Sequence, residues 1–129
     1  MNEELFEQKE TLPSLAEADA KELAEAAAAV LDAKKATNVS ILSVEGRSDI
    51  TDYLVLATGG SGPHVKALAD ELEYQLGRRE VYPLHTDGIN TRSWQIVDFG
   101  TVMVHIFDRE SREFFNLDKL YKNTDEVAQ

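Results

Sequence analysis

The sequence predicts an α/β fold, a mixed sheet of about five strands flanked by helices. Three observations carry that prediction. Short apolar runs rich in Val, Ile and Leu alternate with longer stretches of helical periodicity. A glycine cluster, Gly59-Gly60-Ser61-Gly62, separates one such run from the helical stretch after it. Two further runs are joined by Gly100-Thr101, a pair suited to the tight turn of a hairpin. A length of 129 residues fits one domain.

Residues 1–13 read as a flexible acidic leader carrying Leu5, Phe6 and Leu12, residues 14–121 as the domain, and 122–129 as a frayed tail. Ser14-Leu15-Ala16-Glu17 has the form of a capping box, in which hydroxyl and carboxylate each satisfy a helix-end N–H. A helix to about Lys35 follows, with Leu15, Leu23, Ala27, Val30 and Leu31 as its apolar stripe. Val39 to Val44 reads as a buried strand and 46–51 as a turn. Tyr53 to Thr58 is apolar on both faces, which places it centrally in a sheet.

The next helix runs from about Pro63 to Gly77, with Val65, Leu68, Ala69, Leu72 and Leu76 on one side. Val81 to His85 reads as a short strand, reached from the preceding one by a right-handed parallel crossover. Trp94 to Phe99 and Val102 to Phe107 form the hairpin, and 108–121 closes the domain in short helical turns.

Composition excludes several function classes. The chain has no cysteine, which removes disulfides, zinc–thiolate centres and thiol catalysis. Lys and Arg total 13 against 24 Asp and Glu, a net charge of -11. Phosphate backbones demand Lys and Arg at the contact, so direct sequence-specific nucleic-acid binding is not expected. Acidic surface serves either solubility alone or a basic protein partner. The longest helix-like apolar stretch, Ala24 to Leu31, is too short to span a bilayer and contains Glu25. The acidic start of the chain opposes a secretory signal, and the expected location is cytoplasmic.

Two constellations bear on chemistry. The turn Gly59 to Gly62 stands where a phosphate-binding loop would, yet it has neither the P-loop pattern nor G-x-G-x-x-G. The simpler reading is a tight turn whose glycines take positive φ. Nucleotidyl transfer would need paired carboxylates to hold magnesium, and Asp98 stands alone on its strand.

The hairpin is the second. A two-residue turn sets Phe99 opposite Val102, Asp98 opposite Met103 and Ile96 opposite His105. One face is then uniformly core-like, with Val97, Phe99, Val102, Val104 and Ile106. The other holds Trp94, Ile96, Asp98, Met103, His105 and Phe107. Asp98 and His105 become diagonal neighbours within reach of a hydrogen bond, without a nucleophile beside them. This mixed face is either a second core layer under helices or a protein-binding patch, since interface cores are enriched in aromatics and Met. The candidate partner-binding residues are Trp94, Ile96, Asp98, Met103 and His105. No catalytic, cofactor or metal residue is assigned. His64 and His85 read as ordinary helix-end and strand-end residues.

The order of motifs resembles a known family. Asp49-Ile50-Thr51-Asp52-Tyr53-Leu54-Val55-Leu56-Ala57-Thr58-Gly59 is similar to the strand signature of the Iojap-related ribosomal silencing factors. Ser61 with His64-Val65, Asp87-Gly88, and Trp94 to Gly100 follow in that family's order. Val102 to Phe107 and Arg112 to Tyr121 complete it. The likeness covers about residues 19–121. Pro63, Thr101, Asp87 and Tyr121 depart from the family's usual residues.

The resemblance implies a nucleotidyltransferase-like fold without the catalytic carboxylates, no enzymatic activity and no cofactor. It further implies binding to the large ribosomal subunit through ribosomal protein L14, steric exclusion of the small subunit, and repression of translation. A homodimer is compatible with it. The competing reading from the residues is a nucleotide-binding or nucleotidyltransferase-type enzyme using the Gly59–Gly62 turn.

Overall fold

In a computed structural model the fold is described for residues 12–88, 92–120 and 126–127. Helix α1 spans Ala20–Ala33 and strand β1 Thr37–Ser43; β2 spans Tyr53–Gly59 and α2 Gly62–Gly77. Strand β3 is His85–Asp87, β4 Trp94–Asp98 and β5 Val102–Asp108. Two short helices, α3 at Arg109–Phe115 and α4 at Leu117–Leu120, precede a two-residue strand β6 at Glu126–Val127. The sheet order is β3-β4-β5-β2-β1-β6. It is mixed: β2 and β5 are parallel, and the other pairs antiparallel. The α/β fold is as expected. The leader's residues 1–11 lie outside the described residues, as do 121–125, 128 and 129 of the tail region. Residues 126 and 127, expected to fray, pair with Leu42 and Ile41 of β1.

The first helix starts later than the capping box suggested. Ser14 Oγ accepts from Ala16 N at 3.1 Å in a local turn, and the Leu15 N–H donates to Arg79 O at 2.8 Å. Asp19 caps the helix instead, its carboxylate accepting from Glu22 N at 2.8 Å. Asp ranks among the best N-caps, and Leu15 is tied to the end of α2, so the helix starts at Asp19, a cap the sequence reading did not consider.

Strand character was misplaced at Val81 to His85. Helix α2 ends in a Schellman-type turn: Glu80 takes φ 69°, and the Val81 N–H returns to Leu76 O at 2.9 Å. Pro83 then withholds a donor. Pairing therefore begins at His85, opposite Asp98. Strand β3 does run parallel to β2, but at the sheet edge, with β5 and β4 between them.

Helices α1 and α2 cover one face of the sheet. Leu23, Ala24, Ala27, Ala28 and Leu31 meet Val65, Leu68, Ala69, Leu72 and Leu76 above Ile41, Val55, Val97, Val104 and Ile106. Each fully buried Leu contributes about 1.5–3 kcal/mol. All seven residues of β2 are buried, as a central strand requires. Among the described residues the opposite face receives only the short helices α3 and α4, and this asymmetry positions the candidate site.

Candidate functional site

The hairpin register matches expectation. Trp94 lies opposite Phe107, Ile96 opposite His105 and Asp98 opposite Met103, while Phe99 N–H donates to Val102 O at 2.8 Å. Gly100 sits at φ 94°, and Asp98 Oδ1 accepts its N–H at 2.8 Å, so the carboxylate fixes the turn. Odd and even positions are thereby sorted. Val97, Phe99, Val102, Val104 and Ile106 join the main core under the long helices. Trp94, Ile96, Asp98, Met103 and His105 share the other face.

The strand register extends that face. Leu54 pairs with Met103 and Leu56 with His105 across β2, and Leu42 pairs with Leu54 across β1. Leu42, Val44, Leu54, Leu56 and Phe107 form a second, smaller cluster, with Trp94, Met103 and Leu117 packed on it in part. Neither long helix reaches it. Among the described residues this layer is covered only by the C-terminal turns: Phe115 lies 4.4 Å from the Trp94 ring, and Phe107 stacks at 5.1 Å from beneath. The face is a core layer at Phe107 and half open from Trp94 to Met103.

An open cavity of about 320 Å³ lies on this face, lined by Ile50, Leu54, Trp94, Ile96, Met103, His105 and Leu117 with Ser48 and Thr51. Ile50 at its rim is 71% exposed, and Phe114 nearby in α3 is 80% exposed. Sequence reasoning missed Ile50, Leu54, Phe115 and Leu117 as parts of this surface. The available signals were an isoleucine inside an otherwise polar turn and two consecutive Phe in a helix too short to bury both.

His105 is placed differently from expectation. Its Nδ1 accepts a hydrogen bond from Trp94 Nε1 at 3.0 Å, whereas Asp98 acts on it only through space. The predicted Asp98–His105 hydrogen bond does not form, because the Asp98 carboxylate has turned to Gly100. Burial lowers the His105 pKa to about 4, with the Asp98 charge opposing that shift. The ring is neutral at physiological pH.

The glycine turn is also not as expected. None of Gly59, Gly60 and Gly62 has positive φ. A side chain at Gly59 would lie 2.8 Å from Val65 Cγ2, and one at Gly62 would lie 2.9 Å from Arg92 Cβ. These glycines permit close approach of the chain rather than a left-handed turn. The N–H groups there are partly spent: Gly60 N donates to His64 Nδ1 at 2.8 Å, and His64 N to Ser61 Oγ at 3.2 Å. His64 does more than expected, since its Nε2 also reaches Lys34 O at 2.9 Å and ties the turn to the end of α1. Among the described residues no three His, Asp or Glu are grouped to hold a metal. Among them no helix is long and apolar enough to cross a membrane.

Arg112 holds the C-terminal turns against the sheet. Its guanidinium donates to both Asp118 oxygens, at 3.1 and 2.9 Å, to Thr58 Oγ1 at 3.1 Å and to Asn38 O. The Asp118 carboxyl is held below the usual range, first by the Arg112 hydrogen bond. Arg112→Ala should therefore lower stability by about 1.5–3 kcal/mol in a denaturant titration. It should also change the fluorescence of Trp94, the sole Trp of the chain, as Phe115 loosens. An unchanged midpoint would show that the clasp contributes nothing net.

Comparison with known proteins places this architecture. The family described as "Ribosomal silencing factor during starvation" matches residues 17–129. Ribosomal silencing factor RsfS of Bacillus subtilis is 34% identical over 101 residues, covering 78% of this chain and 86% of that protein. The protein of the same name from Haemophilus influenzae is 37% identical, covering 70% of this chain and 89% of its own length. A crystal structure of a Bacillus halodurans protein superposes with a TM-score of 0.74 at 30% identity, covering 84% of this chain and 99% of that one. The chain belongs to the ribosomal silencing factor family.

Proposed function

We propose that the protein binds the large ribosomal subunit through the Trp94 face and sterically prevents the small subunit from joining, which represses translation. Ribosomal protein L14 is the proposed contact, and the cytoplasm the proposed place of action. Family membership supports association with the ribosome and a silencing role. The observation that supports this surface is the sheet face left open by both long helices, bearing Trp94, Ile96 and Met103 around a cavity. Trp is the residue most often found at binding hot spots. Asp98, on the same face at the other end of the strand, suits a Lys or Arg of a basic partner. In this reading the protein is not an enzyme, and His105 and Asp98 serve docking and stability.

The nucleotide-binding alternative rested on the Gly59–Gly62 turn. The close packing of those glycines and the use of the Gly60 N–H by His64 give it no added support.

The test is sedimentation in sucrose gradients. Added protein should travel with isolated large subunits and reduce the joined-ribosome peak when small subunits are supplied. An unchanged joining profile at saturating protein removes the assignment. The acidic surface adds a kinetic expectation, that the association rate falls as ionic strength rises from low to physiological. A flat rate would assign the charge to solubility alone.

A further inference from the structure

The cavity beside Trp94 is lined by a ring nitrogen that meets no acceptor among the described residues. Trp94 Nε1 is a donor only, so the His105 Nδ1 that it contacts at 3.0 Å must be bare. The proton of the neutral ring is then on Nε2. His105 is only 7% exposed and lines the cavity, and its Nε2 has no acceptor among the described residues. Of the two lining hydroxyls, Thr51 Oγ1 donates to Tyr53 O at 3.3 Å, while Ser48 Oγ accepts from Ile50 N at 3.1 Å and its own proton remains to donate. The remaining lining is apolar. Its volume of about 320 Å³ is on the order of ten water volumes. That is room for one large side chain and the backbone that carries it.

Charge selects the occupant. Glu45, Asp49 and Asp52 belong to the loop that supplies Ser48, Ile50 and Thr51, with Arg47 the one cation among them. Asp87 and Asp98 lie on the β3–β4 side, Asp87 opposite Ile96 and Asp98 opposite Met103. A second copy of this chain would bring the same acids against these. A basic segment is attracted, and a carboxylate acceptor is repelled.

We infer that this cavity receives a single large apolar side chain from a basic segment of the partner protein, and that the His105 Nε2–H donates to the backbone carbonyl of that segment. The inference rests on the docking reading above and adds its chemistry. Trp94 becomes a positioning residue for the donor as well as a contact, because its indole N–H selects the tautomer.

Two substitutions separate the ring's two roles. In His105→Asn the amide oxygen can replace Nδ1 as acceptor for Trp94, but nothing reaches the Nε2 position. In His105→Gln an amide N–H reaches that position. With isolated large ribosomal subunits as the probe, the Asn variant should bind about tenfold more weakly and the Gln variant within about threefold of the parent. Equal affinities for the two overturn the inference. Trp94→Ala is measured in parallel: if it loses binding while Asn and Gln do not differ, the docking surface stands and the donor role falls. If Trp94→Ala also binds as the parent does, the docking surface itself is wrong. Should the Asn variant alter self-association in sedimentation equilibrium and leave subunit binding unchanged, the occupant is a second copy and the inference fails. Nitrogen-15 NMR of the unmodified protein guards against misfolded variants, since a His105 ring protonated at Nδ1 overturns the inference outright.

Discussion

Trp94→Ala is expected to weaken binding to the large ribosomal subunit by about 2 kcal/mol or more, roughly thirtyfold in affinity. The indole is half-buried, stacked on Phe107 at 5.1 Å and capped by Phe115 at 4.4 Å. It presents a rigid, pre-positioned apolar surface that loses little entropy on docking. The substitution also has a cost in the free protein, because His105 Nδ1 loses its donor. That cost should stay below the roughly 3–5 kcal/mol typical of a core Trp, since the ring is open on one side. Affinity and denaturant midpoint must be measured together. A variant that unfolds readily yet binds like the parent while folded would place Trp94 in the core and move the recognition surface elsewhere.

Acid should destabilise the protein before its carboxylates titrate. Burial holds the His105 pKa at about 4 in the folded protein, against the usual 6.5 of a solvated histidine. The unfolded chain therefore takes up a proton at higher pH than the folded one. Stability from this group is fully present above about pH 6.5 and falls as pH drops toward 4. The loss reaches about 2 kcal/mol by pH 5 and about 3 kcal/mol at the low end. Asp118 contributes in the same direction but only at lower pH, because its depressed pKa gives stability that persists until its carboxyl titrates. Denaturant midpoints at pH 7, 6 and 5 should decline in the parent and flatten in His105→Gln. Parallel slopes for the two proteins would remove His105 as the cause.

The fold was largely legible where a residue pattern had one physical solution. Helix α2 showed its core face as Val65, Leu68, Ala69, Leu72 and Leu76, and all five are buried. The hairpin register followed from Gly100-Thr101, because a two-residue turn leaves no freedom in the pairing. Errors arose where local signals competed. The capping-box pattern at Ser14 drew the helix start too early, and the contact of Leu15 with Arg79, distant in sequence, leaves Asp19 as the cap. Val81 looks like a strand residue, but its N–H closes the end of α2.

The candidate surface was legible in part for a similar reason. Trp94, Ile96, Asp98, Met103 and His105 do share a face, as alternation requires, whereas Asp98 and His105 proved not to be bonded. The Asp98 carboxylate and His105 Nδ1 took the Gly100 and Trp94 N–H groups respectively, and alternation does not choose among such pairings. Ile50, Phe115 and Leu117 reach this surface from a loop and from short helices, where no period announces the direction of a side chain.

The parallel pairing of β2 with β5 has a kinetic consequence. Strands β4 and β5 are joined by a tight turn and can meet early, but α2, β3 and β4 all lie between β2 and β5 in the chain. Closing so long a loop is the slow kind of contact. The face around the cavity needs that contact, since it sets Leu54 of β2 beside Met103 of β5. Pulse-labelled hydrogen exchange during refolding should protect β4 amides before those of β2. A newly made chain would then be unable to dock until its central strand had closed, so only fully folded molecules would compete for the ribosome.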